Sequence, residues 1–120
     1  MLRSGRLELG PEDKVDFETG TAGAVLGADL YFPTETTPLP AHLVAAADPA
    51  VLARSPHGGR VACGRALEAR ADRTADLAAV GAGRSFCVTT TEGNVVSATI
   101  VLCRPSAPQR LVLDFTTWRP

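Results

Sequence analysis

RSFCVTTTEGNVVSATIVLC, residues 84–103, is the stretch that decides the fold, because it has the pattern of a β-hairpin. Residues 89–91 and 95–102 are rich in β-branched side chains, which suit an extended, pleated backbone. Glu92, Gly93 and Asn94 between them supply the turn. The sequence therefore predicts two antiparallel strands joined by a short loop.

The hairpin register follows from the positions of the apolar side chains. A two-residue loop would mix apolar and polar residues on each face, whereas a three-residue loop with Gly93 in the left-handed conformation separates them. This loop places Val88 opposite Val96. One face then carries Phe86, Val88, Val96, Ala98, Ile100 and Leu102, and the other carries Cys87, Thr89, Val95, Ser97, Thr99, Val101 and Cys103.

Other alternating segments extend the hairpin into a larger β structure. Strands are predicted at residues 6–9, on a sheet edge, at 15–18 with Val15 and Phe17 on one side, at 28–32, and at 110–118 beside the second hairpin strand. Gly and Pro turns separate them. About eight short strands, with at most one short helix, predict an all-β domain, either an antiparallel β-sandwich or a small β-barrel.

Three segments between these strands are ambiguous. Residues 41–47 fit either a strand or a short helix, because seven residues are too few for periodicity to decide. Asp48 and Pro49 favour the start of a short helix that runs through Ala53. Residues 60–80 contain good helix formers, but any helical face would consist mostly of alanine and bury little area. We therefore predict strands there, with a break at residues 71–74 and a second piece at 77–80.

Length and charge limit the classes of function. A chain of 120 residues makes one domain, residues 1–120, and its start resembles an excised piece of a longer protein. The net charge of -1, pI near 6.1 and scattered arginines provide no basic surface for nucleic acid. No apolar run approaches the roughly 20 residues of a transmembrane helix, and the first residues do not form a signal peptide.

The three cysteines leave two alternatives open. In the predicted register Cys87 and Cys103 lie roughly 20 Å apart along the hairpin, too far for a disulfide bond. Any bridge therefore includes Cys63, and Cys87 is the favoured partner. The alternative is three buried free thiols that pack as small apolar side chains.

The remaining polar residues predict no catalytic, cofactor or metal site. His42 and His57 lack zinc-ligand spacing, and Ser55 near His57 precedes two glycines but no nucleophile elbow. Asp16, Glu18 and Asp29 could converge as carboxylates for calcium or for acid–base chemistry, but solvated strand faces explain them more simply.

Aromatic residues with a polar group are scarce. Tyr31 and Trp118 are the candidates for an interaction surface, although the position of Trp118 two residues from the end favours a plug over the sandwich edge that closes the core.

The order of several motifs resembles β-rich modules that recur in multidomain proteins of actinobacteria. These motifs are FETG at 17–20, GADLYF at 27–32, Cys63, FCVTTTEGNVV at 86–96 and LVLDFTTW at 111–118. The resemblance covers most of the chain. It implies an accessory module in which Cys63 and Cys87 are paired structural cysteines and Cys103 is an additional thiol.

Three functions are compatible with these features. The favoured hypothesis is a non-catalytic accessory or sensory domain that needs no cofactor and binds a protein partner, a neighbouring domain of a longer chain, or a small ligand. The alternatives are a small β-barrel enzyme with an interior pocket and a structural packing domain. An interaction domain predicts a filled core together with an apolar surface patch or a free strand edge.

Overall fold

The computed structural model describes residues 1–24, 27–33, 42–47, 50–55, 58–76, 83–104 and 109–120. Ten strands and one helix occur in this part of the chain. In order they are β1 (Arg3–Leu9), β2 (Lys14–Asp16), β3 (Thr21–Gly23), β4 (Leu30–Tyr31), β5 (His42–Ala45), β6 (Val51–Ser55), α1 (Arg60–Arg70), β7 (Thr74–Asp76), β8 (Ser85–Thr89), β9 (Val95–Arg104) and β10 (Arg110–Trp118).

The strands form two five-stranded antiparallel sheets. The first sheet has the order β1-β10-β9-β8-β6 and the second has the order β3-β2-β4-β5-β7. Nineteen buried apolar side chains from both sheets make one core, and the rings of Phe17 and Phe115 contact each other across it with centroids 5.4 Å apart. The predicted all-β fold is confirmed, and the two separate sheets make it a sandwich rather than a barrel.

The hairpin has the predicted register. Phe86 lies opposite Ala98, and Val88 lies opposite Val96, so the predicted apolar face enters the core. The N–H of Thr90 donates to the carbonyl of Asn94 over 2.9 Å and closes the three-residue loop. Gly93 has a φ of 85°, a left-handed conformation in which a Cβ atom is unfavourable.

This loop yields a first testable prediction about stability. We expect Gly93→Ala to lower the free energy of unfolding by about 1 kcal/mol, because alanine is strained at positive φ. Gly64→Ala is the matched control, since Gly64 lies inside α1 and an added Cβ would have no atom within 4 Å. It should raise the stability by between about 0.5 and 1 kcal/mol. Urea denaturation of both variants measures their free energies of unfolding. Two shifts of the same sign would contradict the left-handed conformation of Gly93.

The predicted apolar face of the hairpin is wrong at the C-terminal end of β9, because β9 contains a bulge. Leu113 pairs with Ile100 while Val112 pairs with Leu102, which leaves Val101 as an extra residue in β9. One extra residue reverses the alternation of side chains beyond it. Leu102 is therefore 38% exposed, and Cys103 packs against the core instead.

The strand prediction for residues 60–80 is wrong over its first half. Residues 60–70 form α1, whose buried side chains are the small Cys63 and Ala66. A helix with so small an apolar face gives little periodic signal, although its residue types favour a helix. A strand, β7, follows at Thr74–Asp76. The predicted piece at residues 77–80 lies outside the described residues.

The other ambiguous segments are strands. Residues 42–45 form β5, which settles the alternatives for residues 41–47. The predicted helix through Ala53 is wrong, because Val51–Ser55 is β6 and pairs with β8. Asp48 and Pro49 lie outside the described residues. The predicted edge strand is confirmed, since β1 is the last strand of its sheet in the described part of the chain.

Candidate functional site

A disulfide bond joins α1 to the hairpin. The sulfur atoms of Cys63 and Cys87 are bonded, and their Cα atoms are 5.3 Å apart. This is the pairing that the sequence favours for any bridge, and the alternative of three free thiols is wrong. Cys103 is a free, half-buried cysteine, and burial raises the pKa of its thiol, which lowers its reactivity.

Three carboxylates converge beside the tip of the hairpin and form what we name the acidic cluster: Asp16, Glu18 and Asp29. One carboxylate oxygen from each lies within 4.8 Å of the others. The expectation of solvated strand faces is wrong for Asp29, which is fully buried, and Asp16 and Glu18 are half-buried. Alternation along residues 28–32 identified the face of Asp29 but gave no sign that the hairpin tip covers it.

Asp29 connects the second sheet to the hairpin tip. Its Oδ2 accepts a hydrogen bond from the N–H of Phe17 over 2.8 Å. Its Oδ1 accepts hydrogen bonds from the N–H of Thr91 over 2.9 Å and from Oγ1 of Thr91 over 3.1 Å. Desolvation raises the pKa of Asp29 to about 6, and the charge of Glu18 adds to the effect, although these hydrogen bonds oppose it.

Glu18 makes a second contact with the hairpin. Its Oε2 accepts a hydrogen bond from Nδ2 of Asn94 over 3.1 Å, whereas its Oε1 is buried without a hydrogen-bond partner. Burial raises the pKa of Glu18, and the charge of Glu92 acts in the same direction. Burial therefore favours the protonated forms of Asp29 and Glu18, and we expect the contact between the acidic cluster and the hairpin to depend on pH.

Neither histidine side chain lies within the part of the chain that the structure describes. The backbone of His42 belongs to β5, while its side chain and the whole of His57 lie outside the described residues. Ser55 is buried at the end of β6. The described residues thus leave the serine–histidine possibility untested.

The two aromatic candidates line separate surface pockets. Half-buried Tyr31 contributes to a pocket of about 530 Å³ on the second sheet, lined also by Glu12, Lys14, Ala45 and Ala46. Trp118 contributes to a pocket of about 320 Å³ next to the first sheet. No residue is shared between the two linings, so Tyr31 and Trp118 do not form one surface.

We name the second pocket the Trp118 groove; its lining consists of Met1, Leu2, Arg60, Trp118 and Arg119. Trp118 is half-buried and lies opposite Val95, whereas Thr117 before it is buried and donates a hydrogen bond to the carbonyl of Phe17. Because side chains alternate along a strand, Trp118 projects away from the core. The interpretation of Trp118 as a plug over the core is therefore wrong.

Arg60 connects the start of α1 to the end of the last strand. Its Nη2 donates to the carbonyl oxygens of Arg119 and Pro120 over 3.0 and 3.2 Å. Neither Arg60 nor Arg119 is among the site residues that the sequence predicts. No spacing signal could have found them, since only the packing of α1 on the sheet brings these distant positions together.

Comparison with known proteins found no matching family model, no matching curated protein and no matching solved structure. Among the residues that the structure describes, no helix has the length and apolar character required to cross a bilayer. The geometry of the described surface is therefore the basis for the function proposed below.

Proposed function

We propose that this chain is a non-catalytic accessory domain that binds a protein partner in the Trp118 groove. The observation that carries the proposal is a tryptophan on the outer face of the sheet, half-buried, in a pocket with two exposed apolar residues. Met1 is 79% exposed and Leu2 is 42% exposed. Single exposed apolar side chains are common on soluble domains, whereas a cluster of them around a tryptophan indicates an interaction surface.

The chemistry of the groove suits a protein partner. Tryptophan and arginine are the residues that most often dominate the binding energy of protein interfaces. The indole supplies a large, rigid apolar surface at little entropic cost, and the arginines at its side supply directional hydrogen-bond donors. Nineteen apolar side chains occupy the space between the sheets, which favours a binding surface over an interior pocket.

The Tyr31 pocket is a weaker candidate. Its lining combines Tyr31 with Glu12, Lys14 and two alanines, so no large apolar side chain accompanies the tyrosine. We use it as an internal control, because a nonspecific effect of removing an aromatic side chain should also appear there.

A selection of displayed random peptides on the folded domain tests the proposal. Trp118 is the single tryptophan of the chain, so its fluorescence reports occupancy of the groove directly. We expect the selected peptides to shift this emission. The Trp118→Leu variant has no tryptophan, so isothermal titration calorimetry measures its affinity, which should fall at least about tenfold, as is typical of a central interface residue. The Tyr31→Leu control should bind the same peptides unchanged.

Two outcomes would overturn the proposal. One is a set of peptides that bind Trp118→Leu as tightly as the unaltered domain. The other is a selection that enriches no peptide at all, which would favour a structural packing domain. Circular dichroism of both variants verifies that neither substitution unfolds the sandwich.

A further inference from the structure

We propose that the hairpin tip, residues 90–94, and the acidic cluster form a pH-sensitive switch, in which the tip docks on the cluster in acid and undocks toward neutral pH. The change is local, because both sheets keep their strands while the contact between the tip and the cluster opens. This inference goes beyond the proposed function and does not depend on it, since the lining of the Trp118 groove shares no residue with the tip or the cluster.

The hairpin tip keeps its shape through hydrogen bonds of its own. The N–H of Thr90 donates to the carbonyl of Asn94, and the N–H of Gly93 donates to the carbonyl of Thr90 over 3.0 Å. The N–H groups of Glu92 and Asn94 donate to Oγ1 of Thr90 over 3.3 and 3.0 Å. None of these bonds involves the second sheet, so the tip can move away from that sheet as one unit with its turn intact.

The contact between the tip and the cluster is made by carboxylates. Thr91 donates to Oδ1 of Asp29 from both its N–H and its Oγ1, and Nδ2 of Asn94 donates to Oε2 of Glu18. The proton that decides the charge of each carboxylate is therefore gained or lost at the contact itself. Two side chains, Asp29 and Glu18, couple the position of the tip to pH.

The charged side chains that are described at this contact are mostly acidic. Asp16 and Glu18 belong to β2 and the turn after it, Asp29 precedes β4, and Glu92 lies on the tip and faces Glu18. Arg3 of β1 also reaches this region, but its Nε donates to the backbone carbonyl of Glu18 and not to a carboxylate. Ionisation of the whole cluster therefore brings like charges together, and their repulsion disfavours the docked state.

Carboxylates on the first sheet have a different arrangement. Asp114 pairs with Arg6 over 2.7 Å, and Glu8 pairs with Arg110 over 2.6 Å. Arg6 lowers the pKa of Asp114, so the charged form of that carboxylate is the favoured one. Among the described residues the acidic cluster has no such ion pair, so we expect its contact with the tip to respond to pH in the opposite direction.

Burial sets the direction of the switch. Asp29 is fully buried under the docked tip, whereas undocking brings its carboxylate to water, which solvates the charge. The docked state therefore binds the proton more tightly, and desolvation raises the pKa of Asp29 to about 6 against the hydrogen bonds from Thr91. This preference for docking is complete below the ordinary aspartate pKa of 3.8 and is lost as pH rises through about 6.

Amide hydrogen exchange, followed by NMR between about pH 4 and pH 7, tests the switch. Each rate is divided into that of an unstructured peptide at the same pH, which gives a protection factor. The N–H of Thr91 loses its acceptor on undocking, while the N–H of Thr90 keeps its acceptor within the tip. We expect Thr91 to be at least about tenfold less protected than Thr90, because local undocking is more frequent than unfolding of the hairpin.

The dependence on pH is the second expected result. The protection of Thr91 should fall at least about tenfold from pH 4 to pH 7, within the limit of roughly a hundredfold that a pKa difference of about two units allows. In Asp29→Asn this fall should disappear, because asparagine does not titrate. Glu68→Gln is the control, since Glu68 is an exposed acid of α1, and it should preserve the whole fall.

A second variant, Glu18→Gln, keeps the test decisive if Asp29→Asn does not fold. Removal of the charge of Glu18, which raises the pKa of Asp29, should move the midpoint of the fall to lower pH. Protection of Thr91 that is constant from pH 4 to pH 7 would overturn the switch. So would equal protection of Thr90 and Thr91, a full fall that persists in Asp29→Asn, or a midpoint that Glu18→Gln leaves unchanged.

Discussion

The double substitution of Cys63→Ala with Cys87→Ala is expected to lower the free energy of unfolding by about 3 kcal/mol. The disulfide closes a loop with a sequence separation of 24 residues, and a loop of this length restricts the unfolded chain by about that amount. The effect is a substantial share of the roughly 5–15 kcal/mol by which ordinary domains are stable. We therefore expect the variant to unfold at markedly lower urea concentration.

In the variant without the disulfide bond, unfolding should begin at α1. The described helix buries only Cys63 and Ala66, and no side chain caps its first turn, so the disulfide bond and the hydrogen bonds of Arg60 are its main ties to the sheet. Short helices are marginal in water unless tertiary contacts stabilise them. Amide hydrogen exchange of the variant should therefore accelerate first in residues 60–70, ahead of the strands β9 and β10.

Cys103→Ala provides the control for this experiment. Cys103 packs against the core but forms no bond, so its removal should cost about 1 kcal/mol or less and leave α1 protected. Alkylation of the denatured, unreduced protein followed by mass spectrometry should label one cysteine, and after reduction it should label three. Three labelled cysteines before reduction would contradict the Cys63–Cys87 bond.

The sequence predicts the hairpin and the sandwich because their determinants are local. Alternating apolar side chains around a glycine-containing turn specify both the face and the register, so this pattern alone assigns Phe86 and Val88 to the core. The bulge at Val101 has no such local determinant. It depends on how β10 pairs with β9, and this pairing is not encoded in the alternation of either strand alone.

The helix and the groove depend on long-range packing. α1 covers a sheet face with small side chains and a disulfide bond, which replace the wide apolar stripe that a sequence pattern can reveal. The groove joins Leu2, Arg60 and Trp118 from the two ends and the middle of the chain. Only Trp118 could be proposed from sequence, because its residue type alone suggests an interface.

The acidic cluster is a second feature that the sequence predicts only in part. The sequence places Asp16, Glu18 and Asp29 on short strands and allows them to converge, but burial of Asp29 results from the hairpin tip that covers it.

The burial of Asp29 gives the stability of the domain an unusual dependence on pH. We expect the contribution of Asp29 to make the domain more stable near pH 4 than near pH 7. Acid has the opposite effect on carboxylates that form ion pairs, because it removes their charge.

The direction follows from the pKa of Asp29 in the two states. An unfolded aspartate has a pKa near 3.8, and burial raises the pKa of Asp29 to about 6 in the folded protein. Between these values the folded state binds more protons, so this contribution is complete below pH 4 and is lost as pH rises through 6. A pKa difference of about two units between the folded and unfolded states corresponds to roughly 3 kcal/mol of stability. Solvent screening of the carboxylate reduces this figure. Glu18, whose pKa is also raised by burial, acts in the same direction.

The comparison of the unaltered domain with Asp29→Asn isolates the effect, because the asparagine cannot titrate. Urea denaturation at several pH values from 4 to 7 should give a free energy of unfolding that decreases with pH in the unaltered domain, relative to the variant, by up to roughly 3 kcal/mol. Asp114→Asn is the control for a carboxylate of the opposite kind, since Arg6 lowers the pKa of Asp114 at the surface. Its removal should change the slope slightly in the other direction. Parallel curves for the unaltered domain and Asp29→Asn would show that the buried carboxylate titrates normally, so that the tie between the sheets would hold equally at both pH values.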